Sequence, residues 1–186
     1  MRRLLCAAAV FVLMMPVRAD WPGSQAPAAS AAPVVVFTTA KGVIEIEMFP
    51  ADAPKSVARV VELAKQGFYR GTRFHWVQPA VVQFGDQLSR DMTKRDSWGK
   101  GGSGPARGPR PIGVAEISKR QFVRGTVGFA YQAYQDPEAA DCQLFIVKMT
   151  NPALNGKYAA LGRVVKGMEV IDKIEVEDMI KDVSVR

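Results

Sequence analysis

Residues 43–48 read Val-Ile-Glu-Ile-Glu-Met, a strict alternation that puts Ile44, Ile46 and Met48 on one face and Glu45 and Glu47 on the other. A period of two fits an extended strand with one dry side and one wet side, whereas a helix would scatter both classes around its axis. Upstream lies the β-branched run 34–38, and Ala40-Lys41-Gly42 between the two supplies a turn, which predicts a β-hairpin. Similar short runs recur at 73–77, 81–84, 125–131, 143–147, 159–165 and 182–185. Helical spacing occurs in two places. Pro54 sits where a first helical residue would, and Val57, Val60, Val61 and Ala64 follow before Gly67 stops the segment. A shorter helix is predicted over 168–174. Residues 85–113 hold seven glycines and three prolines and are predicted to be largely loop. Without internal repeats, about eight short strands and two helices predict a mostly β domain, a small antiparallel barrel with helices covering its ends.

The first nineteen residues belong to a different category. Arg2 and Arg3 precede an apolar run from Leu4 to Met15, and Val17 and Ala19 place small side chains at −3 and −1 of a cut before Asp20. That is the layout of a secretory signal peptide, 1–19, and the run is short for a bilayer span. The competing reading is an uncleaved anchor. Cys6 precedes the apolar run and follows Leu5, which argues against a lipid-attachment cysteine. Residues 20–33, rich in Ala, Pro, Ser and Gly, are predicted as a flexible spacer, leaving a folded domain over 34–186. These features place the mature protein in the periplasm or outside the cell, with no integral membrane span after cleavage.

Cleavage removes Arg2, Arg3 and Arg18 and no acid, taking the formal charge from +7 to +4. The densest basic stretch, Lys94 to Arg110, carries five Lys or Arg in the glycine-rich loop. It lacks the stacking aromatics or recognised module that nucleic-acid binding would want, so no nucleic acid is expected; a scaffold docking on an acidic partner is the remaining use for such a loop. Only Cys142 survives cleavage, so no intramolecular disulfide can form, and one His with one Cys cannot build a zinc site. There is no P-loop, dinucleotide-binding glycine pattern or nucleophile elbow.

Several stretches, in order over about 35–182, resemble the cyclophilin family of peptidyl-prolyl isomerases. Gly67-Phe68-Tyr69-Arg70-Gly71-Thr72-Arg73-Phe74-His75 is similar to the family's G-x-Y-[DN]-G-x-x-F-H, and Gln83-Phe84-Gly85-Asp86 to its Q-G-G-D. Arg124 to Ala130 resembles R-G-x-x-S-M-A, Gln143-Leu144-Phe145-Ile146 resembles S-Q-F-F-I without its serine, and Leu154-Asn155-Gly156-Lys157-Tyr158 resembles L-D-G-K-[HY]. The resemblance implies a closed eight-stranded antiparallel barrel with a helix at each end. It also implies a groove on the outer barrel surface for proline-containing segments of unfolded or exported proteins, a monomer, and no cofactor or metal.

It further implies a site. Phe145 would floor the proline pocket, Leu154 and Tyr158 would wall it, and Val81 would stand where the family has a pocket methionine. Gln83 would hold the peptide carbonyl, Gln143 is its neighbouring glutamine, and Ala130 and Tyr131 would bind peptide through backbone. The family's donor arginine, directly after the F-H pair, is replaced by Trp76. Indole offers one neutral N–H where guanidinium offers five charged ones, so reduced activity is expected. Trp76 and Gln83 are the candidate catalytic pair, with Trp76 open to three roles: stacking platform, weak donor or packing. Strand alternation points Arg73 away from the groove. Over 77–82 the chain is one residue shorter than the family's, and the usual pocket phenylalanine is either deleted or replaced by Ala80. Phe145 and Leu154 would be ordinary core residues in most β proteins, Gln83 a surface amide, and His75 is expected to be a hydrogen-bonded packing residue. Two functions therefore compete: an X–Pro isomerase, and a non-catalytic, chaperone-like peptide-binding module.

Overall fold

The predicted hairpin forms. β1 (Val34–Thr39) runs antiparallel to β2 (Val43–Met48), with Val35 opposite Ile46 and Phe37 opposite Ile44. The structure is a computed structural model that describes residues 32–131 and 136–186. The predicted signal peptide, 1–19, and the predicted spacer as far as residue 31 lie outside the described residues.

Helix α1 (Pro54–Lys65) starts at Pro54 without a capping side chain from Ala53. A distant residue supplies the missing acceptors: the Glu116 carboxylate takes the backbone N–H groups of Lys55 (3.0 Å) and Ser56 (2.7 Å). Acidic oxygens there satisfy orphan donors and complement the positive end of the helix. The helix buries Val57, Val60, Leu63 and Ala64 against the sheet core.

The remaining strands are β3 (Trp76–Val77), β4 (Val81–Phe84), β5 (Thr126–Phe129), β6 (Leu144–Val147), β7 (Ala160–Lys166) and β8 (Ile180–Val185), with α2 (Met168–Asp172) before the last. All eight strands pair antiparallel in one sheet of order β3-β4-β6-β5-β7-β2-β1-β8. The expected closed barrel is not what forms. β3 and β8 are edges, so the sheet is open and curled. The cause is local: the strand expected over 73–77 shrinks to Trp76–Val77. The seam is crossed by an isolated bridge, Arg73 to Met179, and by backbone bonds such as Gly71 N–H to Ile180 O (2.8 Å) and Phe74 N–H to Asp178 O (2.9 Å). Between β4 and β5 the loop 85–113 is irregular as expected, punctuated by 3-10 turns at Gln87–Arg90, Met92–Ser97 and Pro105–Arg107.

Period-two alternation sorts the central strands into two clusters. Val82 and Phe84, Val127 and Phe129, and Leu144 and Ile146 enter the main core with Phe37, Tyr69 and Phe74. Phe145, Val147, Ala130 and Ala160 take the opposite face and join Phe122 in a smaller cluster, against which Val81, Leu154 and Tyr158 pack. That second face carries the site.

Candidate functional site

Phe145 is only 5% exposed, yet it lies on the outer face of the sheet and not in the main core. Its ring stacks on Phe122 (centroids 5.7 Å apart, planes 22° apart) and meets the Tyr158 ring edge-on at 5.2 Å. Above it is a depression of about 180 Å³ bordered by Val81, Leu154, Tyr158, Trp76 and Gln83. The floor is apolar and the rim is mixed, as is common where a small ligand group is bound.

Gln83 lies directly across the ladder from both Trp76 and Phe145. Its carboxamide donates to Gln143 Oε1 at 2.8 Å, and Gln143 Nε2 donates in turn to the carbonyls of Gly99 (3.0 Å) and Gly101 (2.9 Å). Both glutamines are thus oriented by bonds, not left as free surface amides. Trp76, 47% exposed, is no packing residue; it stands at the junction of the ring depression with a second, more polar one of about 340 Å³. Lys100, Gly102 and Asp141 contribute to the second depression.

The other expected residues are placed as follows. Ala130 and Tyr131 border both depressions, but the Ala130 N–H is already engaged with Gln143 O (2.9 Å). An extended segment pairing there would have only the Ala130 carbonyl and the Tyr131 backbone to use. The Tyr131 hydroxyl donates to Lys157 O at 2.6 Å, and partial burial, with Tyr158 and Asp136 nearby, raises its pKa. Ala80 does not border the depression: the β3–β4 turn is tight, closed by Gln78 N–H to Val81 O (2.8 Å), and Val81 forms the wall. Arg73 faces away, donating to Glu177 O at 3.0 Å.

His75 departs from expectation. It is packed as foreseen, with Gly99 above it, but neither ring nitrogen has a hydrogen-bond partner among the described residues. Burial lowers its pKa, an effect the charge of Asp86 partly offsets. Cys142 is fully buried, and burial, reinforced by the Asp141 charge, raises its thiol pKa. It is no nucleophile. Among the described residues, no three His, Cys, Asp or Glu side chains cluster as a metal site would require.

Sequence reasoning missed Phe122, Asn151 and the Gly99–Gly102 stretch. Asn151 also borders the ring depression and caps the 3-10 turn that carries Leu154, accepting from Ala153 N–H at 3.2 Å. The Asn-Pro pair at 151–152 was a readable turn signal. Phe122 left no signal beyond being an aromatic residue just ahead of a strand.

The family model described as cyclophilin type peptidyl-prolyl cis-trans isomerase/CLD matches residues 34–185. The chain belongs to the cyclophilin family. This cyclophilin is 39% identical over 142 residues to a Brucella suis protein named probable peptidyl-prolyl cis-trans isomerase, covering 76% of this chain and 70% of that one. It is 36% identical over 156 residues to peptidyl-prolyl cis-trans isomerase A of Dickeya dadantii, covering 81% and 75%. A Cryptosporidium parvum cyclophilin type isomerase, solved in the presence of the dipeptide Ala-Pro, shares the fold with a TM-score of 0.67 at 23% identity, covering 82% of this chain and 98% of that one.

Proposed function

We propose that this cyclophilin catalyses rotation about X–Pro bonds in extended peptide, with turnover limited by the neutral side chain at position 76. The observation that carries the reading is the open depression over Phe145, apolar beneath and rimmed by Trp76 and Gln83. The names of the Brucella and Dickeya relatives support the same reaction, and the dipeptide present with the Cryptosporidium protein supports the same class of ligand.

Amide conjugation sets a rotational barrier of about 18–20 kcal/mol, and for X–Pro the two end states differ by only about 0.5–1 kcal/mol. At the twisted transition state conjugation is lost and the prolyl nitrogen regains a lone pair. A donor satisfied only at that point accelerates rotation without tightening the ground state. Phe145 fixes the ring, Gln83 holds the carbonyl side, and Trp76 offers a single N–H. No group ionises and no covalent intermediate forms. A protease-coupled isomerisation assay tests this. No rate above background, at enzyme concentrations where an ordinary family member saturates the signal, rejects catalysis.

A second reading, a chaperone-like module that binds peptide without turnover, is favoured by Trp76 and by the shortened 77–82 segment, in which Ala80 does not border the depression. It predicts measurable peptide binding with no catalysis in the same assay.

The site of action we propose is the periplasm or cell exterior, on chains folding after export; the support is the arrangement of Arg2, Arg3, the apolar run and Ala19. N-terminal sequencing of the protein from a periplasmic fraction should begin at Asp20. Recovery only in the cytosol, starting at Met1, overturns it.

A further inference from the structure

Asp141 lies two residues before Gln143 and is 7% exposed. Its carboxylate gathers donors from three segments: the backbone N–H groups of Ser103 and Arg110 (both 2.8 Å), the Ser103 hydroxyl, and the Arg59 guanidinium on α1 at 3.3 Å. Arg59 is itself buried and also donates to the Ser103 hydroxyl at 2.5 Å. A buried ion pair adds little net stability over apolar residues of the same volume; what it can impose is geometry.

The geometry imposed here is that of the loop between 99 and 110. Gly102 N–H to Arg107 O and Gly104 N–H to Gly108 O, both 2.8 Å, fold it into a narrow hairpin. Its tip holds Ala106 and Arg107 at φ 52° and 64°, a left-handed pair that L-residues adopt only under constraint. Asp141 grips both arms, Ser103 on one and Arg110 on the other. Gly102 has no room for a side chain, since a Cβ there would lie 2.5 Å from Asp141 Oδ2. Asp86 secures only the near end, through the Gly99 N–H. From that loop the Gly99 and Gly101 carbonyls accept from Gln143, whose other atom accepts from Gln83.

We propose that Asp141, together with Arg59, is a positioning residue for catalysis. By pinning the loop it holds Gln143 in register, and Gln143 presents the Gln83 carboxamide to the peptide. This rests on the reading of Gln83 as the group that holds the peptide carbonyl.

The test is a double-mutant cycle in the full-length protein, read as kcat/KM on a proline tetrapeptide. Asp141→Asn lowers kcat/KM roughly tenfold and Ser103→Ala roughly threefold, in keeping with loss of one or two oriented hydrogen bonds. Gln143→Leu lowers it as well, and Asp141→Asn added to Gln143→Leu lowers it no further, because Gln143 is the route of the effect. Amide exchange at Ser103 and Arg110 quickens in Asp141→Asn while β5 and β6 keep their protection. If Asp141→Asn fails to fold, Ser103→Ala, which retains the ion pair, is carried through the same cycle with Gln143→Leu. Additive losses, or unchanged kcat/KM despite faster loop exchange, overturn the positioning role alone. A wild-type chain without isomerisation above background overturns the functional reading and this proposal with it.

Discussion

Trp76 and Gln83 face each other across the β3–β4 ladder, so their side chains leave the sheet on the same side. The row continues: Gln83 is opposite Phe145, and Phe145 is opposite Gly128 on β5. Trp76, Gln83 and Phe145, to which the proposed function gives the donor, carbonyl-holding and ring-floor roles, thus stand in one line across adjacent strands, each step set by the strand spacing of about 4.8 Å. The end of the row is a glycine because the Phe145 ring lies over it.

Trp76→Arg restores a charged, multi-donor side chain to one end of this row. Charge-assisted bonds are roughly twice as strong as neutral ones, and each 1.4 kcal/mol or so gained only at the transition state is about tenfold in rate. The expected result is a rise in kcat/KM of about tenfold or more with unfolding free energy changed by no more than about 0.5 kcal/mol, since the site is half exposed. A flat response would locate the donor elsewhere, and Arg73 is already committed to Glu177 O.

Gly128→Ala attacks the other end. An added Cβ would sit 2.2 Å from Phe145 Cζ and 2.9 Å from Phe122 Cε1, so the floor must move. Overpacking of this kind costs about 1–3 kcal/mol. Urea unfolding should register that loss, and titration with a proline peptide followed by NMR should show weakened binding. Unchanged affinity would mean that Phe145 does not floor the site.

Cys142 is fully buried, and burial followed by the neighbouring Asp141 charge raises its thiol pKa, so little thiolate forms at neutral pH. With Cys6 replaced by serine, the folded chain should resist an aromatic disulfide reagent and should react with one equivalent in denaturant. Rapid labelling of the native protein would show that β6 opens readily.

The strands and their faces were legible because one side of the sheet is wet: Glu45 and Glu47 mark the outside of β2, and the same alternation separates Phe145 from Leu144 and Ile146. Barrel closure was not legible. It depends on whether residues 71–77 stay regular, and they give up the ladder after two residues. Nor could the orientation of the two glutamines be foreseen, since Gln143 is fixed by Gly99 and Gly101, which lie 44 and 42 positions away in a loop without a period. Local pattern reports which way a residue points on its own strand; it carries no information on what a glycine-rich loop will fold against.

His75, the sole histidine, turns the same loop into a source of pH dependence. Both ring nitrogens are buried beside Gly99 without a well-formed hydrogen bond among the described residues, and burial lowers the pKa below the ordinary 6.5 despite the opposing charge of Asp86 and the weaker influence of the Arg73 backbone and the Gln143 side chain. In the unfolded chain the imidazole takes up a proton as pH falls through about 6.5, while in the folded chain it remains neutral until the pH is lower. The unfolded state then binds more protons, so stability is complete above about pH 6.5 and declines on acidification, by at most about 1.4 kcal/mol per pH unit, until the folded-state pKa is reached. Urea midpoints between pH 7.5 and 5.5 should therefore fall for the wild type and stay level for His75→Phe, whose ring fits the same packed position without titrating. A wild-type midpoint that holds steady across that range would mean the imidazole is solvated or paired in the folded protein, and the packing of Gly99 over it would need another account.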